Sequence, residues 1–201
     1  ELVFLAGGSG VTPFMAIIRE QRNLGWPLKI HLLYGCKKPN EAIFGDELKR
    51  MAKGNARLNY SLVVSEPAKS YKGEKGFLTA PLIKKLAGDL EGKPVFMCGP
   101  NVMYDFCQKE LDQLGVPQFK IRRELYGPPE DVTALPDWPE KIKADKTFTV
   151  EMEGRPAFIA KAGEPLINAL ERQGIVVPAV CRSGECSACR MKVLSGKVFM
   201  P

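Results

Sequence analysis

The chain has 201 residues, of which 45% are hydrophobic and 26% charged, and this composition excludes a disordered chain. Its net charge of +6 is spread evenly, with 21 basic and 18 acidic side chains in residues 1–145, 8 and 5 in residues 146–201, and therefore +3 in each part. No basic run interleaved with aromatic residues is present, which argues against nucleic-acid binding. The longest uncharged run, Leu2–Ile18, contains three glycines and Pro13, so we predict no membrane span.

Six cysteines are distributed unevenly along the chain, and no basic leader precedes the first apolar run. These features favour a cytoplasmic protein with reduced thiols, for which metal or redox chemistry is a better use of cysteine than disulfide bonds. The chain also lacks an initiator Met, so we expect it to be a piece of a longer protein.

Short apolar runs alternate with helical periodicity over the first 125 residues. The predicted strands are Leu2–Ala6, Leu28–Tyr34, Leu58–Val64, Pro94–Cys98 and Phe119–Glu124. The predicted helices are Pro13–Leu24, Phe44–Lys53, Ala80–Leu86 and Val102–Leu114. This alternation predicts an α/β domain at 1–125, an open parallel sheet covered by helices, whose ligands bind beyond the carboxyl ends of the strands.

The next segment differs in character, because residues 126–141 contain four prolines in sixteen positions. Proline disfavours helix and sheet interiors, so we interpret 126–145 as a linker. In residues 146–201, strands are predicted at Thr147–Met152, Ala157–Ala160 and Met191–Leu194, and a helix at Pro165–Gln173. The second domain is therefore predicted to be small, of the α+β class, and rich in strands.

A glycine-rich turn, AGGSGVTP, joins the first predicted strand to the first predicted helix. Gly8 and Gly10 let the backbone approach a ligand closely, Thr12 is a predicted N-cap, and Pro13 suits the first helical position. A helix that begins in this way offers free N–H groups to an anion such as a pyrophosphate. Pro13 replaces the third glycine of the usual dinucleotide fingerprint, and taken alone the turn favours a purely structural role.

Further motifs follow in order, namely YG at Tyr34-Gly35, IFGDEL at Ile43–Leu48 and CGP at Cys98–Pro100. Together with GGSGVTP, this set resembles the NAD(P)-binding domain of the ferredoxin-NADP reductase superfamily. The resemblance implies that residues of the glycine turn bind the pyrophosphate, namely Gly8, Ser9, Gly10, Thr12 and Pro13. It also implies that Cys98, Gly99 and Pro100 lie beside the nicotinamide, with Cys98 as the catalytic candidate; a buried strand cysteine is the alternative. Cys36 and Cys107 are interpreted as structural.

The same resemblance bears on the flavin and on the choice of nucleotide. It places Tyr126 where an aromatic ring packs on the flavin, and it places the adenosine ribose near Ser65-Glu66-Pro67. Glu66 would repel the 2′-phosphate of NADPH, whereas Lys69 and Lys72 would attract it. NADH or NADPH therefore remains open, with a preference for NADH.

Three cysteines, Cys181, Cys186 and Cys189, follow the spacing C-x4-C-x2-C in CRSGECSAC. This is the spacing of plant-type [2Fe–2S] ferredoxins, and the small residues between the thiols leave backbone N–H groups free to face sulfur. Zinc is the weaker interpretation, since zinc sites commonly combine two close pairs of ligands. The single histidine, His31, belongs to a predicted strand of the first domain and is interpreted as a core or surface residue.

The region 146–201 resembles a plant-type ferredoxin domain of the β-grasp fold. In that family a fourth cysteine ligand lies well beyond the third, and only twelve residues follow Cys189. We therefore expect the ferredoxin domain to be truncated in this chain, with Cys181, Cys186 and Cys189 as the cluster ligands present.

A nucleotide domain followed by a ferredoxin domain resembles phthalate dioxygenase reductase and similar oxygenase reductases. The resemblance implies FAD or FMN on a preceding β-barrel, expected outside this chain, because flavin converts hydride transfer into single-electron steps. It implies electron transfer from NAD(P)H through flavin to [2Fe–2S] and on to a redox protein acceptor such as an oxygenase or a corrinoid protein. The alternative is a regulatory or assembly component that binds nucleotide and cluster without turnover.

Overall fold

The computed structural model describes residues 1–124, 127, 131–184 and 186–200. Contacts between Cα atoms divide the chain into two compact units, Glu1–Leu125 and Tyr126–Pro201. Each unit has a hydrophobic core of its own. No helix in the described ranges combines the length and the apolar character needed to cross a bilayer.

The first unit is built on a six-stranded parallel sheet with the strand order β4-β3-β2-β1-β5-β6. Its strands are β1 (Leu2–Gly7), β2 (Ile30–Cys36), β3 (Leu58–Val64), β4 (Glu74–Lys75), β5 (Val95–Cys98) and β6 (Ile121–Arg123). The α/β class with an open parallel sheet is therefore confirmed. The central strand β1 is buried from Val3 onward, as expected for a strand covered on both faces.

Helices cover the two faces of this sheet. They are α1 (Val11–Asn23), α2 (Gly45–Lys53), α3 (Ala80–Ala87) and α4 (Asn101–Gln113). Along β1, Phe4 and Ala6 share a core cluster with α1 and α2, whereas Val3 and Leu5 share a cluster with α3 and α4. Because successive side chains of a strand point to opposite faces, this division follows directly from the apolar run LVFLA.

The order of the strands reverses beside β1. From β1 the chain proceeds outward through β2 and β3 on one side, and it then returns to place β5 against the other side of β1. Ala6 of β1 is in register with Cys98 of β5, so the loops that follow the two strands leave the same edge of the sheet. In open α/β sheets this reversal point is where ligands bind.

Apart from shifts of one or two residues at the ends of strands and helices, the observed elements of the first unit correct the predictions at the start of α1, at β4 and at Phe44. Helix α1 begins at Val11, with Gly10 as its N-cap, so Thr12 and Pro13 lie inside the first turn and are not its N-cap and first residue. Pro13 is tolerated there because the N–H groups of the first turn have no intrahelical partner. The short strand β4 was not predicted, and Phe44 lies before α2 with a left-handed φ of 58° instead of inside the helix.

The second unit contains an antiparallel pair, β7 (Thr147–Val150) and β8 (Phe158–Lys161), and one helix, α5 (Leu166–Arg172). The prediction of a strand at Met191–Leu194 is wrong, since those residues have no regular structure. A strand needs a neighbour for its backbone groups, and none of the described residues pairs with this segment.

The predicted linker has little regular structure in its described part, where one 3-10 turn spans Val132–Ala134. It nevertheless packs within the second unit. The ring of Trp138 lies 5.1 Å from that of Phe199, and Gly163 N–H donates to the Ala144 carbonyl at 2.9 Å. Pro128 and Pro129 lie outside the described residues.

A charged cluster at the amino-terminal edge of the large sheet includes the single histidine. His31 is 5% exposed, and its Nε2 lies 3.3 Å from the Glu1 carboxylate while its Nδ1 lies 3.2 Å from the Asn59 amide. The same carboxylate pairs with Lys93 and Lys29, and these contacts lower the pKa of Glu1 to about 2. Burial lowers the pKa of His31, against the opposing effect of Glu1.

We expect acidification to destabilise the first unit through His31. A buried imidazole with a lowered pKa contributes stability above the unfolded value of 6.5, and this stability is lost as the pH falls through the folded value. Urea unfolding between about pH 7.5 and pH 5 should show the loss, while Glu1 stays ionised. The control, His31→Gln, should show a shallower pH dependence, and the histidine NMR signal should titrate below 6.5; an unshifted titration would contradict the expectation.

Candidate functional site

Two loops meet at the carboxyl edge of the sheet, where the strand order reverses. The loop after β1 forms a 3-10 turn, Gly8–Gly10, and the loop after β5 consists of Gly99 and Pro100. A Cβ on Gly10 would overlap the Cys98 carbonyl and lie 2.6 Å from the Gly99 nitrogen. Because these are backbone atoms, only glycine fits at position 10, and the turn rests directly on the Cys98–Gly99 peptide.

The side chain of Met103 fills the space beside this contact. Its sulfur occupies the position that a Cβ on Gly7 would need, and it lies 2.6 Å from where a Cβ on Gly99 would be placed. A Cβ on Gly99 would also lie 3.2 Å from Gly7 Cα. Gly7 at the end of β1 and Gly10 in the loop that follows are therefore packed closely against Gly99. We call the place where these backbones meet the crevice, since the reversal point of an open α/β sheet is where a ligand crevice is expected.

The first turn of α1 opens into this crevice. Ser9 and Thr12 are exposed, and the Thr12 hydroxyl donates to the Ser9 carbonyl at 2.7 Å. Gly8 has a φ of +54°, with open space where a Cβ would be. The backbone N–H groups at this helix start, together with the absence of side chains at positions 8 and 10, suit a bound pyrophosphate. Gly8, Ser9, Gly10, Thr12 and Pro13 are thus brought to one place.

The catalytic candidate Cys98 ends β5 and is fully buried, with 0% exposure. Burial, and then the charge of Glu124, raise the pKa of Cys98 to about 11, so the thiol is protonated at neutral pH. Its contact with the crevice is made by its backbone carbonyl beneath Gly10. A role for Cys98 beside the nicotinamide stays a prediction, as do those of the half-buried Gly99 and the exposed Pro100.

The loop after β3 lies at the same edge of the sheet. Its backbone extends the parallel ladder, since Ser65 N–H donates to the Cys36 carbonyl at 3.0 Å and Glu66 N–H to that of Lys37 at 2.9 Å. The side chains of Glu66, Lys69 and Lys72 belong to exposed residues. The loop therefore places one acidic and two basic groups where the adenosine ribose was predicted.

The cysteine loop of the second unit has a backbone shaped around sulfur. The Cys181 sulfur accepts N–H groups from Ser183 and Cys186, each at 3.4 Å. Arg182 and Ser187 adopt left-handed φ values of 59° and 60°, and Gly184 has a φ of 87°. The Ser183 hydroxyl, followed by the N–H groups of Cys186 and Ser183, lowers the pKa of Cys181 to about 6.

This donor set fits an iron–sulfur cluster better than it fits an isolated thiol. Backbone N–H groups directed at a thiolate are the interactions that tune such clusters, and Cys181, Cys186 and Cys189 are the residues that would hold one. In the described ranges, no three His, Cys, Asp or Glu side chains lie close enough together to bind a single metal ion. His31 contacts Glu1 and Asn59, as a core residue would.

Tyr126, the flavin-packing candidate, lies outside the described residues. The structure adds residues that the motifs did not indicate, namely Met103 beneath the crevice and two buried tyrosines, Tyr34 and Tyr104, whose hydroxyls bond to its loops. Met103 lies about one helical turn after CGP, and this spacing is the only sequence feature that indicated its place beside the glycines. Nothing in the sequence distinguishes the two tyrosines from ordinary core residues.

Comparison with known proteins accounts for both units. Residues 4–109 match the family model of the oxidoreductase NAD-binding domain, and residues 150–201 match that of the 2Fe-2S iron-sulfur cluster binding domain. The first match covers more than half of the chain. The chain belongs to the oxidoreductase NAD-binding domain family, and it carries the iron–sulfur module after it.

Among curated proteins, the chain is 28% identical over 206 residues to the ferredoxin reductase component of 3-ketosteroid-9-alpha-monooxygenase from Rhodococcus rhodochrous, covering 100% of this chain and 57% of that protein. It is 28% identical to the NADH oxidoreductase HCR of Escherichia coli, covering 98% and 55%. The cytochrome b5 reductase domain of Ulva prolifera nitrate reductase aligns with a TM-score of 0.55 and 25% identity, covering 61% of this chain and 48% of that one. The chain thus spans little more than half the length of these curated relatives.

Proposed function

We propose that the chain is part of an electron-transfer oxidoreductase. The complete protein takes a hydride from NAD(P)H and delivers single electrons, through a flavin and a [2Fe–2S] cluster, to a protein acceptor. A flavin is required between the two ends because a nicotinamide gives up two electrons at once and the cluster accepts one. We place FAD or FMN on a domain that is not among these 201 residues.

One observation carries this proposal. A single chain joins the crevice, where glycines pack closely at the reversal point of a parallel sheet, to a cysteine loop whose backbone N–H groups face sulfur. The first feature suits a dinucleotide and the second suits an iron–sulfur cluster. A protein that only binds nucleotide has no use for the second feature.

Within this scheme the residues of the first unit bind and orient the nucleotide. The turn from Gly8 to Pro13 binds the pyrophosphate, and the loop of Cys98, Gly99 and Pro100 orients the nicotinamide. Cys98 acts there through its position, since its thiol is buried and protonated and its backbone carbonyl lies beneath Gly10. Tyr126 packs on the flavin, and Cys181, Cys186 and Cys189 hold the cluster.

The acceptor that we propose is an oxygenase component, as the name of the Rhodococcus relative suggests; a corrinoid protein is a second redox acceptor of suitable chemistry. The six cysteines are all free thiols, which fits the reducing conditions of the cytoplasm, where we place the protein.

The test uses the complete protein that contains this chain. Anaerobic addition of NADH or NADPH should bleach the flavin absorption band and then the band of the cluster, and cytochrome c should serve as an artificial acceptor. Absence of bleaching with both nucleotides would overturn the proposal. It would instead favour the alternative, a regulatory or assembly component that binds nucleotide and cluster without turnover.

Glu66 provides a prediction about the choice of nucleotide. We expect Glu66→Gln to raise kcat/KM for NADPH about tenfold relative to that for NADH, because it removes a carboxylate that would repel the 2′-phosphate. The control, Glu91→Gln, changes an exposed residue in the turn before β5, at the opposite edge of the sheet. If Glu66→Gln and Glu91→Gln had the same ratio of kcat/KM for NADPH to kcat/KM for NADH, a role for Glu66 would be contradicted.

A further inference from the structure

Two buried tyrosine hydroxyls bond to the backbone of the crevice loops, one on each side. Tyr34 is 0% exposed and Tyr104 is 3% exposed. Each hydroxyl donates one hydrogen bond and accepts another, and each joins a crevice loop to a neighbouring segment. Such fully paired hydroxyls fix the orientation of the peptide groups that they contact.

Tyr34, near the end of β2, acts on the loop after β1. Its hydroxyl donates to the Gly8 carbonyl at 2.8 Å and accepts the Ile43 N–H at 3.0 Å. The described peptide bonds are all trans, and in a trans peptide the C=O and N–H groups point in opposite directions. With the Gly8 carbonyl directed at Tyr34 in the core, the Ser9 N–H is directed away from the core, as an anion site requires.

Tyr104, in α4, acts on the loop after β5. Its hydroxyl accepts the Gly99 N–H at 3.1 Å and donates to the Glu124 carbonyl at 2.5 Å. By the same geometry the Cys98 carbonyl is directed away from Tyr104, and this is the carbonyl on which Gly10 rests. The hydroxyl therefore fixes the peptide that separates the two crevice loops.

We propose that Tyr34 and Tyr104 are positioning residues with two different roles in the crevice. Tyr34 orients the turn that binds the pyrophosphate and so controls nucleotide affinity. Tyr104 orients the Cys98–Gly99 peptide and so controls the placement of the nicotinamide for hydride transfer. This division rests on the proposed function, whereas the two hydrogen-bonded tethers are properties of the fold itself.

The test compares Tyr34→Phe and Tyr104→Phe in the complete protein, since phenylalanine keeps the ring in the core and removes only the hydroxyl. We expect the Kd for NAD+ to rise about tenfold in Tyr34→Phe, with the rate of flavin reduction at saturating NADH within about twofold of wild type. We expect the reverse in Tyr104→Phe, a rate about tenfold lower with Kd changed less than about threefold.

Amide hydrogen exchange supplies a readout that needs no turnover. Exchange should accelerate at Ile43 in Tyr34→Phe and at Gly99 in Tyr104→Phe, since each amide loses its acceptor. The matched control is Tyr60→Phe, because the buried Tyr60 hydroxyl has no hydrogen-bond partner among the described residues. We expect this control to leave Kd, rate and exchange at both amides unchanged.

The outcomes separate the two proposals. The positioning roles would be overturned if exchange at both amides were unchanged. They would also be overturned if both variants showed the same rise in Kd together with the same fall in the rate of flavin reduction. A wild-type protein whose flavin neither nucleotide reduces would overturn the proposed function, and NAD+ binding together with amide exchange would still decide the roles of the two tyrosines.

Discussion

Gly10→Ala should destabilise the first unit by about 3 kcal/mol and weaken NADH binding at least tenfold, by about 1.4 kcal/mol or more. The added methyl group would overlap the Cys98 carbonyl and approach the Gly99 nitrogen to 2.6 Å. Both are backbone atoms, so no side-chain rotation relieves the overlap and the two crevice loops must separate. Urea unfolding and nucleotide titration measure the two effects.

The control for this prediction is Gly54→Ala. Gly54 is the C-cap that follows α2 and has a φ of −99°, and a Cβ there would meet its nearest atom, the Arg50 carbonyl oxygen, at an ordinary 3.8 Å. We expect a change in stability within about 0.5 kcal/mol and no change in NADH affinity. If Gly10→Ala proved as stable as Gly54→Ala and bound NADH equally well, the close approach of the loops would be refuted.

Cys186→Ser should abolish the cluster while leaving the nucleotide end of the protein intact. We expect the visible absorption of the cluster to disappear and electron delivery to cytochrome c to fall at least about 100-fold, since losing even outer partners of a metal site commonly costs 10- to 100-fold. Reduction of the flavin by NADH should continue. Cys186 is exposed, so the substitution removes a ligand without opening a cavity.

The matched control is Cys36→Ser, in the first unit. The half-buried Cys36 thiol donates to the Lys38 carbonyl at 3.1 Å, a bond that a serine hydroxyl can replace. We expect the cluster and the delivery of electrons to be unaffected. A Cys186→Ser protein that kept its full iron content and its spectrum would remove Cys186 from the ligand set.

The longer strands of the first unit were predictable because they are predominantly apolar runs, and the inner strands β1 and β2 are buried along most of their length. Runs such as LVFLA and LNYSLVV are long and rich in branched residues, and the predicted Leu58–Val64 matches β3 in both bounds. The two-residue β4 could not be predicted, because so short a strand has no periodicity and exists only through its pairing with Val63 and Val64. Edges of helices were less accurate for a related reason, since the 3-10 turn before α1 merges with the helix.

The second unit was less predictable because the structure of its segments depends more on contacts with other parts of the chain than on their own residues. The predicted strand Met191–Leu194 has suitable residues, yet a strand forms only where another backbone is available to pair with it. Proline content predicted that 126–145 would disfavour helix and sheet interiors, and the described part of this segment contains one 3-10 turn. It could not indicate that Trp138 packs against Phe199.

The sequence predicted that the glycines of the site form tight turns, but it did not predict which atoms they contact. GGSG and CGP each indicated a tight turn, but the contact of Gly10 with the Cys98–Gly99 peptide depends on β5 lying next to β1. The hydroxyl bonds of Tyr34 depend on β2 lying next to β1, and those of Tyr104 depend on β6 lying next to β5. These are contacts between distant parts of the chain, and in the sequence both tyrosines look like ordinary core residues.

The placement of β5 also determines when the folding chain becomes able to bind nucleotide. Strand β2 follows β1 closely in the chain, but the other neighbour of β1, β5, begins about ninety residues after it. The peptide on which Gly10 rests arrives with β5, so a nascent chain holding only β1, β2 and β3 has a glycine turn without a floor. Nucleotide affinity therefore reports the slow, long-range closure of the sheet, and NADH will stabilise only chains that have completed it.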